Sequence, residues 1–343
     1  MRLIRTVIID DSAFVRKVVK EMLSRSPQID VVGSARNGED ALKMVEELEP
    51  DVVTCDLIMP ELDGVGFVRA QMARKPVPIL VLTASPQDAE LVLDALAAGA
   101  VDFIQKPTSL ANDDLFFISK ELIQKVKDAA VTPARPWLGS PPTIQELPQT
   151  AAATKVDIVV LGISTGGPQA LRYLLPQFAA DFPVPLVMAL HIPVGYTASF
   201  AEKLAEVSQL AVKEAFEGCP VLAGQALLAP AGRHLSFRRN GSGHVVVQLG
   251  SEPLDKPHRP SVDVLFQSAA QTYRDRVLGV VMTGMGDDGK QGAAWIKAQG
   301  GTILTQSEKS CVIYGMPRSV VEAGLSDGEA PLDSMVAEIY KRL

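Results

Sequence analysis

Two doubly wound α/β domains joined by a proline-rich segment are what the sequence predicts. Three observations carry this. Short apolar runs alternate with amphipathic stretches in both parts of the chain, chemically active side chains fall where those runs end, and prolines crowd the region between residues 126 and 153. At roughly 150 residues per domain, 343 residues suit two domains. Apolar residues make up 47% and charged residues 21%, a globular balance that excludes wholesale disorder. Apolar runs such as 77–82 and 158–163 are far shorter than the roughly 18 residues a membrane span needs, so no membrane insertion is expected. The opening Met1-Arg2-Leu3-Ile4-Arg5 does not read as a secretory signal. Three widely spaced cysteines (Cys55, Cys219, Cys311) argue against a disulfide framework or a cysteine zinc site. A reducing, cytoplasmic location is the expectation.

Net charge is −7, and it is uneven: residues 1–125 carry 14 Lys/Arg against 20 Asp/Glu, the remainder 19 against 20. Neither part has the basic excess that a phosphate backbone requires, so nucleic acid is not expected as a partner.

In residues 1–125 the candidate strands are Thr6–Ile9, Ile29–Ala35, Val52–Cys55, Ile79–Thr83 and Val101–Gln105. Helical stretches separate them; in Ala13–Ser24, for example, Phe14, Val15, Val18, Val19, Met22 and Leu23 recur at helical spacing. Five largely apolar strands alternating with helices predict a parallel sheet covered on both faces, a flavodoxin-like (βα)5 domain. Asp10 and Asp11 follow the first strand, Asp56 ends the third, Thr83 ends the fourth, and Lys106-Pro107 follows the fifth. All lie at strand carboxyl ends, where a doubly wound sheet gathers its functional groups. Three carboxylates at one edge suit a hard divalent cation such as Mg²⁺, and Asp56 could then act as a nucleophile toward phosphate. Singly, each residue has a plain structural reading, Asp11 and Ser12 as a helix cap and Lys106-Pro107 as a turn. Five such residues gathered at four strand ends favour chemistry.

These residues resemble the receiver domain of two-component response regulators, in Val7–Ser12, Asp56–Gly64, Thr83–Ser85 and Gly99–Pro107. The resemblance implies phosphorylation of Asp56 by a histidine kinase. It implies Mg²⁺ held by Asp11, Asp56 and the Ile58 carbonyl with Asp10 in support. Thr83 and Lys106 would contact the phosphoryl group, and Phe103 would be the aromatic switch. The added charge, about −1.5 to −2, is enough to re-order a nearby interface.

Residues 126–153 read as an extended linker, broken by Pro133, Pro136, Pro141, Pro142 and Pro148. It contains Trp137 and Leu138, as a docking pair or simply exposed. Residues 154–343 resume the alternation, with strands expected at Asp157–Ile163, Leu186–His191, Ala226–Ala229, Val277–Met282 and Thr302–Thr305. A mostly parallel doubly wound sheet is predicted. The turn Asn240-Gly241-Ser242-Gly243 before His244–Leu249 adds a β-hairpin.

Gly162-Ile163-Ser164-Thr165-Gly166 follows a strand and precedes a helix, which satisfies the nucleophile-elbow pattern. The competing reading is a phosphate loop, but neither a Gly-Lys-Ser/Thr ending nor dinucleotide glycine spacing is present. A serine nucleophile needs a base, and His191 ends the next strand. A third group must orient the imidazole, and Thr283-Gly284-Met285-Gly286-Asp287-Asp288-Gly289 follows another strand with two adjacent acids. Its glycines leave backbone N–H groups available to an oxyanion. The order Ser…His…Asp is not that of α/β-hydrolases.

These residues resemble the catalytic domain of the CheB-type chemotaxis methylesterases, together with Val212–Ala215, Ala229–His234, His258–Phe266 and Gly315–Arg318. The resemblance implies Ser164 as nucleophile, His191 as base then acid, and Asp288 as orienter with Asp287 in the variable slot. Backbone N–H groups of Met285 and Thr165 would form the oxyanion hole, and no metal would serve the esterase. Ile163, Leu190 and Lys290 stand where that family often has Ala, Gln and Ala. The implied activity is hydrolysis of glutamate γ-methyl esters, and deamidation of glutamines, on methyl-accepting chemotaxis receptors. The implied phosphodonor is the chemotaxis histidine kinase (CheA), and the unphosphorylated first domain would cover the cleft. A receiver-controlled serine hydrolase of another substrate, or a non-catalytic signalling adaptor, are the other readings; loss of function on Ser164→Ala separates the last.

Overall fold

The computed structural model describes residues 2–106, 112–131 and 154–343, with side chains in the second stretch from Ile118 onward. Pro107, the prolines of 132–153, Trp137 and Leu138 lie outside the described residues. The chain forms two compact units, divided between Gly139 and Ser140. Among the described residues no helix is long and apolar enough to cross a membrane.

The first unit runs β1 (Ile4–Ile9), α1 (Ala13–Leu23), β2 (Ile29–Ala35), α2 (Gly38–Leu48), β3 (Val52–Asp56), α3 (Gly64–Arg74), β4 (Ile79–Thr83), α4 (Ala89–Ala98), β5 (Asp102–Gln105) and α5 (Asn112–Val131). Its five strands are parallel in the order β2-β1-β3-β4-β5. Strands β3 and β4 are buried throughout, as a sheet covered on both faces requires. Short polar side chains start three of the helices. Ser12 Oγ accepts the Val15 N–H, Asn37 Oδ1 the Asp40 N–H, and Asp63 Oδ1 the Gly66 N–H. Helix α5 continues through Val126 and Ala129, both buried, to Val131. The sequence reading placed the linker from residue 126; the helix outlasts it because the first proline is Pro133, and only there is helix forbidden.

The second unit adds β6 (Ile158–Ile163), α6 (Gly167–Leu174), β7 (Leu186–Leu190), α7 (Thr197–Val207), β8 (Ala211–Glu214), β9 (Gln225–Leu228), β10 (His234–Arg239), β11 (Val245–Gly250), α8 (Val262–Tyr273), β12 (Val277–Val281), α9 (Lys290–Ala298), β13 (Thr302–Gln306), α10 (Met316–Glu322), β14 (Glu329–Ala330) and α11 (Met335–Tyr340). Seven strands form a parallel sheet in the order β14-β13-β12-β6-β7-β9-β8. The hairpin is present as the antiparallel pair β10–β11, closed by Asn240–Gly243. Strands β8 and β14 escaped the sequence reading. Both are edge strands without an apolar run: β8 is Ala-Val-Lys-Glu with only Val212 buried, and β14 is two residues long.

The order β12-β6-β7 decides where function can sit. Strand β6 lies between the other two, with Val281 opposite Gly162 and Ile163 opposite Leu190. The residues that follow these three strands therefore meet at one carboxyl edge, where neighbouring crossovers leave a crevice.

Candidate functional site

In the first unit the acidic edge is assembled as the sequence implied. Asp10, Asp11 and Asp56 each offer an oxygen, and these atoms all lie within 4.8 Å of one another. Lys106 Nζ pairs with Asp10 Oδ2 at 2.7 Å and Asp56 Oδ2 at 2.8 Å. The remaining oxygens are tied to the backbone: Asp10 Oδ1 accepts the Ser12 N–H, and Asp56 Oδ1 accepts the Leu57 N–H. Burial, reinforced by the Asp10 charge, pushes the Asp56 carboxyl up, although Lys106 opposes it. Three carboxylates against one ammonium leave excess negative charge and an all-oxygen donor set. That chemistry fits Mg²⁺. Ser12 serves as helix cap while Asp11 stays exposed, so the structural and chemical readings of that pair divide between the two residues.

Thr83 ends β4, and its Oγ1 bonds to the Ser85 carbonyl and to Asp88 Oδ2, both at 3.3 Å. Phe103 is buried in β5, its carbonyl accepting a hydrogen bond from Lys125 Nζ at 2.8 Å. The Ile58 side chain is exposed beside Asp56.

In the second unit, Ser164 leaves β6 with its N–H on the Thr283 carbonyl at 2.9 Å, and its own carbonyl accepts the Gly167 N–H at 2.6 Å. This is a sharp turn. Gly166 takes φ +77°, and a Cβ there would also lie 2.5 Å from Val312 Cγ2. Gly284, in the loop that follows β12, presses on the same turn: a Cβ there would stand 2.7 Å from Ser164 Cβ and 2.4 Å from Met316 Sδ. Gly284→Ala should therefore push the serine out of place. A displacement on the order of 1 Å can cost about 100-fold in rate, so kcat of the variant should fall by ~10–100-fold. The fold should lose only about 1–3 kcal/mol to overpacking. Unchanged kcat in a folded Gly284→Ala enzyme would show that the contact does not set the serine.

His191 follows β7, its N–H on the Ile163 carbonyl at 3.1 Å, which places it beside the serine turn. Its Nε2 lies 2.9 Å from Asp288 Oδ2. Nδ1 is buried and has no hydrogen-bond partner among the described residues, so a bond from the Ser164 hydroxyl is not formed here. Such bonds often tighten only in the substrate complex. The His258 ring stacks on His191, centroids 4.2 Å apart and planes 19° off parallel.

The two acids of the glycine loop separate cleanly. Asp287 is exposed. Asp288 reaches the N-terminus of α8, where Oδ2 also accepts the Val262 N–H (2.8 Å) and Oδ1 accepts the Asp263 N–H (3.0 Å) and Ser261 Oγ–H (2.9 Å). Burial alone would raise its pKa, but the His191 partner and the helix N–H groups outweigh burial and hold the carboxyl well below the usual carboxylate range. The helix dipole adds to this.

Thr165 and Met285, proposed to line an oxyanion hole, sit on the serine turn and the glycine loop. Neither backbone N–H donates a hydrogen bond among the described residues. Thr283 is a residue the sequence reading gave no role. Its Oγ1 bonds to the Thr165 carbonyl and accepts the Val312 and Ile313 N–H groups, stitching three loops together. Ile163 and Leu190 are buried beneath Gly167, and Lys290 is exposed. His234 is buried, with Nδ1 accepting the Ser261 N–H and Nε2–H on the Pro253 carbonyl, so it is occupied structurally.

A doubly wound domain with an aspartate–lysine pocket, joined to a parallel sheet with serine, histidine and aspartate at one edge, has the make-up of a response-regulator-linked hydrolase. Residues 6–115 match the response regulator receiver domain and residues 159–339 the CheB methylesterase family. The chain belongs to this receiver-linked CheB methylesterase family. It is 48% identical over 343 residues to protein-glutamate methylesterase/protein-glutamine glutaminase 5 of Myxococcus xanthus, covering 99% of this chain and 98% of that one. A protein-glutamate methylesterase/protein-glutamine glutaminase of Symbiobacterium thermophilum is 40% identical, with 99% and 97% covered. The crystal structure of the Thermotoga maritima CheB methylesterase catalytic domain superposes with a TM-score of 0.53 at 37% identity, covering 55% of this chain and 99% of that one.

Proposed function

We propose that this chain hydrolyses glutamate γ-methyl esters, and deamidates glutamines, on methyl-accepting chemotaxis receptors, at a rate raised by phosphorylation of Asp56. The observation that carries this reading is the His191 Nε2–Asp288 pair beside Ser164, at the edge of the sheet. The similarity to enzymes named for both activities supplies the substrate class.

Ser164 Oγ attacks the ester carbonyl carbon and gives its proton to Nδ1, the His191 nitrogen that Asp288 leaves open. Asp288, already ionised, stabilises the imidazolium from the Nε2 side. The Thr165 and Met285 N–H groups receive the oxyanion. The carbon–methoxy bond then breaks, and His191 passes its proton to the departing methoxide, releasing methanol. Water attacks the acyl-enzyme with His191 again as base, freeing glutamate and Ser164. With a glutamine substrate the leaving group is ammonia.

In the receiver, Asp11, Asp56 and the Ile58 carbonyl would hold Mg²⁺ with Asp10 in support, and the cation supplies charge neutralisation for phosphoryl oxygens. Lys106, which pairs with Asp56 Oδ2 at 2.8 Å, would pair with a phosphoryl oxygen carried there. Thr83 reaches that group only by giving up Ser85 and Asp88. A chemotaxis histidine kinase is the phosphodonor in this reading.

The test is methanol release from methyl-labelled receptor membranes, with and without a small-molecule phosphodonor and Mg²⁺. Wild-type release should rise with phosphodonor; Asp56→Asn should retain the unstimulated rate and lose the rise. No release by folded wild-type enzyme would move the substrate elsewhere. A stimulated Asp56→Asn enzyme would remove Asp56 from the switch.

A further inference from the structure

The loop that carries Asp288 is held by a second carboxylate outside the proposed triad. Asp263, in the first turn of α8, directs its side chain toward the start of α9. Its Oδ1 accepts the Gly289 N–H (2.9 Å) and the Gly292 N–H (2.8 Å). Its Oδ2 pairs with Lys256 Nζ at 2.9 Å, and the same ammonium donates to Gln291 Oε1 at 3.0 Å. Meanwhile the Asp263 backbone N–H donates to Asp288 Oδ1. Each acid thus takes hydrogen bonds from the other's segment: Asp288 from the N-terminus of α8, Asp263 from the residue directly after Asp288.

Two interlocked carboxylates repel one another, and Lys256 is the cation that offsets this. The helices meet closely at the same place, since a Cβ on Gly292 would lie 2.5 Å from Phe266 Cβ and 3.0 Å from Asp263 Cα. Without the Asp263 side chain the Gly289 N–H would lose its acceptor, and the backbone of Asp288 just before it, on a loop with Gly286 and Gly289 on either side, could shift.

We propose that Asp263, neutralised by Lys256, is a positioning residue for the hydrolysis: it fixes Gly289 and thereby aims the Asp288 carboxylate at His191 Nε2. The proposal rests on the hydrolytic reading of Ser164, His191 and Asp288. Its signature is a loss in kcat that depends on Asp288 being there to be aimed.

The experiment is a double-mutant cycle on the full chain, read by methanol release and by the Nε2 proton resonance of His191 in ¹⁵N-histidine-labelled protein. Asp263→Ala should lower kcat about 10–100-fold with KM within about twofold. Asp263→Asn keeps the Oδ1 acceptor and should lose only about threefold. In an Asp288→Ala background, Asp263→Ala should cost less than about twofold, because the group it aims is gone. The His191 resonance should shift or broaden in Asp263→Ala. If that variant does not fold, Lys256→Met carries the same cycle, with a kcat loss of about 3–10-fold that also vanishes without Asp288.

Equal losses in both backgrounds, or a rise in KM at constant kcat, would reduce Asp263 to a structural residue. So would an unchanged resonance. Ser164→Ala run alongside keeps the two ideas apart. If it is as active as wild type, the hydrolytic reading fails, and the resonance still decides whether Asp263 aims Asp288.

Discussion

Ser164→Ala should lower methanol release by about three orders of magnitude or more, the scale seen when a triad nucleophile is removed. The change deletes one oxygen and nothing that shapes the turn. The serine N–H on the Thr283 carbonyl, the Gly167 N–H on the serine carbonyl, and the left-handed Gly166 are all backbone features. Folding, receiver phosphorylation and receptor binding should therefore persist, which separates a catalytic role from an adaptor role. The residual rate would come from the Thr165 and Met285 N–H groups and from substrate binding alone. Residues of a triad act as a unit, so in the proposed mechanism His191→Ala should cost a similar factor, and the double variant little more than either. Release from Ser164→Ala within tenfold of wild type would dismiss the serine as nucleophile.

Much of this architecture could be read from the sequence because the relevant signals are local. Apolar runs at Ile158–Ile163 and Val277–Val281 mark buried parallel strands, and residues just beyond such strands share an edge. That reasoning sufficed to bring Ser164, His191 and the glycine loop together, and likewise Asp10, Asp56 and Lys106. What stayed hidden depends on hydrogen bonds across long sequence separations. Choosing between Asp287 and Asp288 by geometry requires knowing that the N-terminus of α8, formed by residues 261–263, faces the loop. Asp263 looks like an ordinary first-turn acid until its side chain is seen on Gly289 and Gly292. Thr283 was visible as part of a motif, yet its work is done on Thr165, Val312 and Ile313. The end of α5 was missed for a simpler reason. Composition shifts gradually there, and a helix stops at a specific obstacle, not at a change of average.

Asp288→Asn should cost about 10³–10⁴-fold in kcat, as when an orienting triad acid is made an amide. The hydrogen-bond inventory explains why the isosteric change cannot be absorbed. Oδ2 faces two donors, His191 Nε2–H and the Val262 N–H; Oδ1 faces the Asp263 N–H and the Ser261 hydroxyl. An amide must place its NH₂ on one side or the other, and on either side it meets a backbone N–H that cannot turn away. With NH₂ toward His191, the ring must also move its proton to Nδ1, and the base toward Ser164 is lost. Stability should change with a defined pH dependence. The folded pKa of Asp288 lies below its unfolded value, about 3.9. Its ionisation therefore contributes stability that is complete above that value and lost as pH falls through the folded pKa. The difference between wild type and Asp288→Asn in denaturant melts should be largest near neutrality and shrink below about pH 4. A gap that stays constant with pH would mean that charge is not what the α8 N-terminus holds. Asp287→Asn, changing an exposed carboxylate, should leave kcat within about twofold. The reverse ranking of these two variants would transfer the orienting role to Asp287, and with it the need for a different route to His191.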